Sequence, residues 1–194
     1  MYEPVLAHLK DPAFQKLLLE FDEDLAREAR AQGCPDCEGK LHSAVYRRKP
    51  RGTLQSLEPE FCVRFSFCCD ADGCRHRTTP PSLRFLHRRI YLGAVVVLVS
   101  ALRSGATCFR MEALKELVGV SRQTVLRWQG WWQEVFPRTV FWRAARGGLH
   151  APVEIGALPL SLLEQFAGEA RDRVLDLLRF LKPLTGGRRS ATPM

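Results

Sequence analysis

Two short cysteine turns constrain this chain more than any other feature: Cys34-Pro-Asp-Cys37 and Cys69-Asp-Ala-Asp-Gly-Cys74. A C-x2-C or C-x4-C turn presents two sulfurs from one side. Two such turns brought together complete a tetrahedron around Zn²⁺, with Zn–S near ~2.3 Å. The chain has seven cysteines, an odd number. Its start, MYEPVLAHLKDPAFQ, carries an early acid and no basic–apolar–small pattern, so no signal peptide is expected. Metal ligation is therefore favoured over a disulfide framework.

The residues between the turns are β-prone: LHSAVY at 41–46 and FCVRFSF at 61–67, with the Pro- and Gly-punctuated loop RRKPRGTLQSLEPE between them. Two prolines in TTPPS (78–82) close the segment. Residues 34–82 thus read as a zinc ribbon with little apolar core of its own, so that folding and metal binding are coupled. The ligand set is Cys34, Cys37, Cys69 and Cys74, with Cys68 and His76 as alternatives. Strand alternation sends Cys68 and Cys69 to opposite faces, so only one of them binds, and Cys69 is preferred. Four sulfurs leave no open coordination position, which makes the zinc structural rather than catalytic. Cys62 and Cys108 are expected in the core, and His8, His42, His87 and His150 as ordinary core or surface residues.

The rest of the chain is helical in texture. Leu17, Leu18, Phe21 and Leu25 recur at helical spacing within 11–32, which Asp11 and Pro12 open and Gly33 ends; the outer face is acidic. Further helices are predicted over Tyr91–Arg103, where β-branched VVVLV makes strand the rival and ALRSG gives a helix-like exit, and over Arg110–Val118, Ser121–Phe136, Arg138–Arg146, Ser161–Ala167 and Glu169–Leu181, with GGRRSATPM as a frayed tail. The fold class is α+β, mainly α: an acidic helix (1–33), the ribbon (34–82), a helical domain (83–148) and C-terminal helices with the tail (149–194). Hydrophobic residues make up 46% of the chain, too many for a disordered segment. The longest apolar run, Ile90–Leu102, is short of the ~20 residues of a membrane span. A cytoplasmic, nucleoid-associated protein is expected.

Charge points to a polyanionic partner. The net charge is +8, yet residues 1–30 carry four basic and seven acidic side chains, so the body of the chain holds the positive excess. Within 112–128, EALKELVGVSRQTVLRW, a short helix meets Gly119, where positive φ is cheap, and a second helix capped by Ser121. Val125, Trp128, Trp132 and Val135 form the expected buried stripe. Ser121, Arg122, Gln123, Thr124 and Arg127 occupy the start and outer face of the second helix, where Arg suits guanine, Gln suits adenine, and Ser and Thr suit phosphate. Arg47, Arg48, Lys49 and Arg51 at a loop tip, and Arg75, Arg77, Arg84, Arg88 and Arg89 around the second cysteine turn, are candidate phosphate contacts.

The stretch GVSRQTVLRW resembles the turn and recognition helix of bacterial helix-turn-helix proteins. Joined to the ribbon, residues 34–136 resemble the DNA-binding module of insertion-sequence transposases and their small regulatory proteins. Lys115 departs from that pattern, standing where a small residue, usually Ala, packs against the second helix. The resemblance implies binding of double-stranded DNA at element ends or promoter repression, with the protein itself or a transposase as a further partner. No membrane and no small-molecule substrate is expected. Strand-transfer chemistry is not expected either: the eight acids after Cys74 all lie in or near predicted helices, with no sheet to hold two metals. The chain is read as a non-enzyme. The alternative is a protein-interaction adaptor with a structural zinc ribbon, docking partners through the acidic N-terminal helix and the C-terminal helices, where Leu162, Leu163, Phe166, Leu175, Leu178 and Leu181 supply an apolar face that serves equally as internal core or dimer seam.

Overall fold

The computed structural model describes residues 11–47, 57–85 and 118–186, with Gly93, Val96, Leu98, Lys115 and Glu116. Helix α1 spans Pro12–Gln32. The Asp11 carboxylate accepts the Ala13 N–H at 2.9 Å, Pro12 needs no donor in the first turn, and Gly33 ends the helix at φ +76°. Phe14, Leu18, Asp22 and Ala26 are buried, one turn apart, so a single seam runs the length of the helix. The expected stripe was one step off: Leu17, Phe21 and Leu25 are the half-buried flanks of this seam. Asp22, one of the acidic residues of this helix, is only 1% exposed because polar partners from other segments meet it.

The β part consists of very short strands. β1 (Leu41–Ser43), β4 (Phe67–Cys69) and β5 (Arg77–Thr78) form an antiparallel sheet in the order β1-β4-β5; β2 (Tyr46–Arg47) pairs with β3 (Val63–Arg64). FCVRFSF does not begin as strand: Pro59 starts a 3₁₀ turn, Pro59–Cys62, that takes up Phe61 and Cys62. Ala26, Cys34, Leu41, Phe67 and Cys69 make a small core here.

The larger core is helical. α2 (Arg122–Gly130) runs into a π turn, Trp131–Val135, and a 3₁₀ turn, Phe136–Arg138. α3 (Val140–Ala145), α4 (Leu160–Leu163) and α5 (Ala170–Leu181) follow. The Phe136 N–H reaches the Trp131 carbonyl, and the extra residue of this π turn rotates the chain. The core face therefore passes from Trp132 to Phe136, both fully buried, and Val135, expected inside, is 50% exposed. Trp131 packs edge-on against Trp132 at 5.0 Å. Leu162, Leu163, Leu175, Leu178 and Leu181 belong to this same core, with Phe166 packed against it, so the apolar face of the C-terminal helices is internal. Gly93, Val96 and Leu98 of the predicted 91–103 helix are helical, as are Lys115, Glu116 and Val118 of the next. The rest of both helices, Cys108 and the tail from residue 187 lie outside the described residues. Lys115, where the family pattern has a small residue, is exposed. Among the described residues, no helix is long and apolar enough to cross a membrane.

Between the two cores sits a buried polar clasp. Asp22 accepts from Ser82 Oγ (2.5 Å), the Leu83 N–H (2.6 Å) and Arg84 Nε (2.8 Å). Arg84 donates onward to the carbonyls of Phe61 and Val63, each at 2.9 Å. Arg64 donates to the carbonyls of Pro80 and Thr185, and Thr185 Oγ1 accepts the Ser82 N–H. Burial pushes the Arg64 guanidinium below its ordinary pKa, against the opposing pull of Asp22. Arg84, expected as a phosphate contact, is fully buried and is instead the centre of this clasp. The reason lies in its partners: Asp22 of α1 and the carbonyls of Phe61 and Val63 take up its guanidinium.

Removing one partner leaves the other charge buried and unpaired, so Asp22→Ala and Arg84→Ala are each expected to lower stability by about 3–5 kcal/mol. The double variant Asp22→Leu/Arg84→Met is expected to lose clearly less than the sum of the two single losses in urea denaturation.

Candidate metal centre

The two cysteine turns converge. The sulfurs of Cys34, Cys37, Cys69 and Cys74 all lie within 4.8 Å of one another. Cys34 Sγ is 3.7 Å from Cys74 Sγ, and Cys37 Sγ is 3.5 Å from Cys69 Sγ. A tetrahedron of sulfurs with a centre-to-vertex distance near 2.3 Å has edges of about 3.8 Å. The observed spacings fit that figure and are far longer than the ~2.05 Å of a disulfide. The donor set is soft and four-coordinate, the combination that selects zinc or iron.

Backbone geometry builds the two halves alike. The residue after the second cysteine of each turn adopts positive φ, Glu38 at +61° and Arg75 at +46°. Each sulfur accepts from the backbone N–H two residues on: Cys34 from Asp36, Cys37 from Gly39, Cys69 from Ala71 and Cys74 from His76. Donors aimed at sulfur favour thiolate. The Asp36 N–H is the largest influence on Cys34 and outweighs burial, holding that thiol below its ordinary pKa. For Cys37, Cys69 and Cys74 the N–H groups of Gly39, Ala71 and His76 act in the same sense, but burial and neighbouring thiols overcome them and the thiols are pushed up. Four thiols this close resist joint ionisation unless a cation shares them.

Gly39 sits against the cluster. A Cβ there would lie 2.9 Å from Cys69 Sγ and 3.2 Å from Cys37 Sγ, so only glycine leaves room for both sulfurs. Strand β1 aligns Leu41 with Cys69 and His42 with Cys68, while β4 and β5 align Cys68 with Arg77. Cys69 therefore points inward and Cys68 away. Cys68 Sγ lies 3.6 Å from the Arg75 carbonyl, outside the four-sulfur cluster. His76 is also outside it, with Nδ1 2.5 Å from Asp36 Oδ2. Both alternative ligands thus have other partners. Cys62 is half-buried in its 3₁₀ turn, where burial raises its thiol pKa despite the nearby Arg84.

Sequence reasoning missed a reciprocal brace. Asp36 in the first turn pairs with His76 beyond the second, and Asp70 in the second pairs with His42 beyond the first, Nε2 to Oδ2 at 2.9 Å. The signal was present, an Asp inside or beside each cysteine pair, but only the folded topology shows which histidine each one meets.

The candidate DNA-contacting residues fall into three groups. Ser121, Arg122, Gln123 and Arg127 are exposed on α2, over buried Val125 and Trp128. Ser121 Oγ caps the Thr124 N–H, and Arg127 reaches half-buried Thr124 Oγ1 at 3.0 Å. Arg47, Arg75 and Arg77 are exposed on the β part; Arg47 ends strand β2, Arg75 lies 3.4 Å from Asp72, and Arg77 stacks over Tyr46. Arg48, Lys49, Arg51, Arg88 and Arg89 lie outside the described residues. No protein-family model, no curated protein and no solved structure matches this chain.

Zinc titration is expected to saturate at one ion per chain for Cys68→Ala and His76→Ala. Binding is expected to be lost or weakened by at least tenfold in Cys34→Ser, Cys37→Ser, Cys69→Ser and Cys74→Ser. Gly39→Ala is expected to weaken it through crowding alone. Since each thiol sheds its proton on binding, affinity falls as pH is lowered. A His76→Ala variant that loses the ion would contradict this ligand set.

Proposed function

We propose that the chain is a zinc-stabilised DNA-binding protein, its four cysteines holding a structural ion and helix α2 entering the major groove. The observation that carries the DNA reading is the two-sided character of α2. Val125 and Trp128 fix one face in the core, while Arg122, Gln123 and Arg127 stand exposed on the other. A serine cap, a base-reading trio and a rigid aromatic foundation are what a recognition helix needs. The positive φ of Gly119 (+64°), with Lys115 and Glu116 helical before it, fits a helix-turn-helix arrangement. The excess of basic side chains supplies sequence-independent attraction to phosphate.

In this reading zinc contributes no chemistry beyond charge neutralisation and cross-linking of the two turns. The four thiolates hold it, the peptide N–H groups orient them, and Arg75 and Arg77 are carried at the surface beside the site. Recognition rather than catalysis is the proposed role, at the ends or promoter of a mobile element, with a transposase or a second copy as partner. The adaptor alternative loses the C-terminal part of its docking surface, because those leucines are spent in the protein's own core.

Binding to a duplex from the protein's own upstream region is expected to exceed binding to random duplex at physiological salt, and to weaken linearly on a log–log salt plot. Arg122→Ala combined with Arg127→Ala is expected to cost the specific duplex tenfold or more and the random duplex much less. Equal affinity for both duplexes, unchanged in the double variant, would remove α2 from the recognition role.

A further inference from the structure

We infer that the outward stripe Gln123–Leu126–Gly130 of α2 is shaped to lie against a duplex, with Leu126 seated on a thymine methyl group and Gly130 giving clearance beside it. This deepens the DNA-binding reading and rests on it. The inward direction of α2 is set by Val125 and Trp128. At 100° per residue the opposite direction falls on Gln123 and Gly130, with Leu126 and Arg127 on either side of it.

Two features of that stripe find no cause among the described residues. Leu126 is 43% exposed among otherwise polar neighbours, where an Arg or Gln would serve solubility better. A single exposed leucine is ordinary by itself, so the second feature carries the weight. Gly130 sits within continuous helix at φ −58° and ψ −39°, where glycine costs about 1 kcal/mol relative to alanine. Its backbone conformation does not require glycine, and among the described residues a Cβ at half-buried Gly130 would meet no atom within 4 Å. A glycine that the chain does not need for itself, one turn beyond an exposed leucine on the same face, is explained by close approach of something outside the chain.

The class of that ligand follows from the neighbouring side chains. Gln123 offers the paired donor and acceptor that match an adenine edge, and Arg122 and Arg127 the forks that match guanine or phosphate. The only major-groove feature that an aliphatic side chain reads is the thymine C5 methyl. The stripe therefore predicts an A·T pair beneath Gln123 and Leu126. A protein groove is the competing occupant, and the test separates the two.

Duplexes enriched from a random library by the full-length, zinc-loaded chain supply the probe, and each thymine is then replaced singly by deoxyuridine, which deletes the methyl and nothing else. At one position the replacement is expected to weaken binding by about fourfold, the value of one buried methyl-sized group. Leu126→Ala is expected to lose the same factor on the thymine duplex and to show no further loss on the uridine duplex. Gly130→Ala is expected to raise the melting temperature while weakening binding, a crossed effect that a purely structural glycine would not give. Uridine tolerance at every position, in a duplex whose binding still depends on Gln123 and Arg122, would overturn this inference and leave the DNA-binding reading standing. If no duplex is enriched, both fall, and Gly130→Ala would then serve as the probe for a protein partner.

Discussion

Four sulfurs held within 4.8 Å are the constraint on which the β part depends. Strands of two and three residues cannot hold a sheet together by hydrogen bonding. The small core around Leu41 and Phe67 is itself partly built from Cys34 and Cys69, so the clustered sulfurs and the packing atoms belong in part to the same residues. Two turns of matching backbone shape, each closed by a positive-φ residue and each aiming peptide N–H groups at sulfur, hold those atoms in place. A cation shared among them would remove the repulsion that four adjacent thiolates suffer, and folding and ion binding would then be one equilibrium.

Helix α1 connects this small unit to the larger core. Its seam changes character along its length: Phe14 and Leu18 enter the helical core, Asp22 enters the polar clasp, and Ala26 enters the core beside the cysteines. Arg84 and Arg64 tie the β3 region, the proline segment and Thr185 together through backbone carbonyls. These bonds replace water for groups that would otherwise be buried without partners. They also fix where the second cysteine turn lies relative to α1, since residues 82–84 follow directly from strand β5.

Much of this was legible in the sequence, and the failures have definite causes. The cysteine spacing indicated the four sulfurs that come together, and strand alternation placed Cys69 rather than Cys68 among them, because both depend only on local geometry. The α1 boundaries followed from Asp11, Pro12 and Gly33 for the same reason. Arg84 was misplaced, and Asp22 not singled out, because a charged residue buried by a partner about sixty residues away looks, locally, like a surface charge. Val135 was misplaced because a π turn shifts the helical phase and leaves no mark in the pattern of apolar residues. The His42–Asp70 and His76–Asp36 braces were invisible since they join the two turns crosswise, a fact of topology rather than of spacing.

The most direct measurement is X-ray absorption at the zinc edge on the purified, metal-loaded chain. A first shell of four sulfurs near ~2.3 Å, with no nitrogen or oxygen, is the result expected from these distances and from the outward placement of Cys68 and His76. A shell containing nitrogen or a bound water, or one retained unchanged in Cys69→Ser, would contradict the four-cysteine centre and with it the coupling of metal to fold.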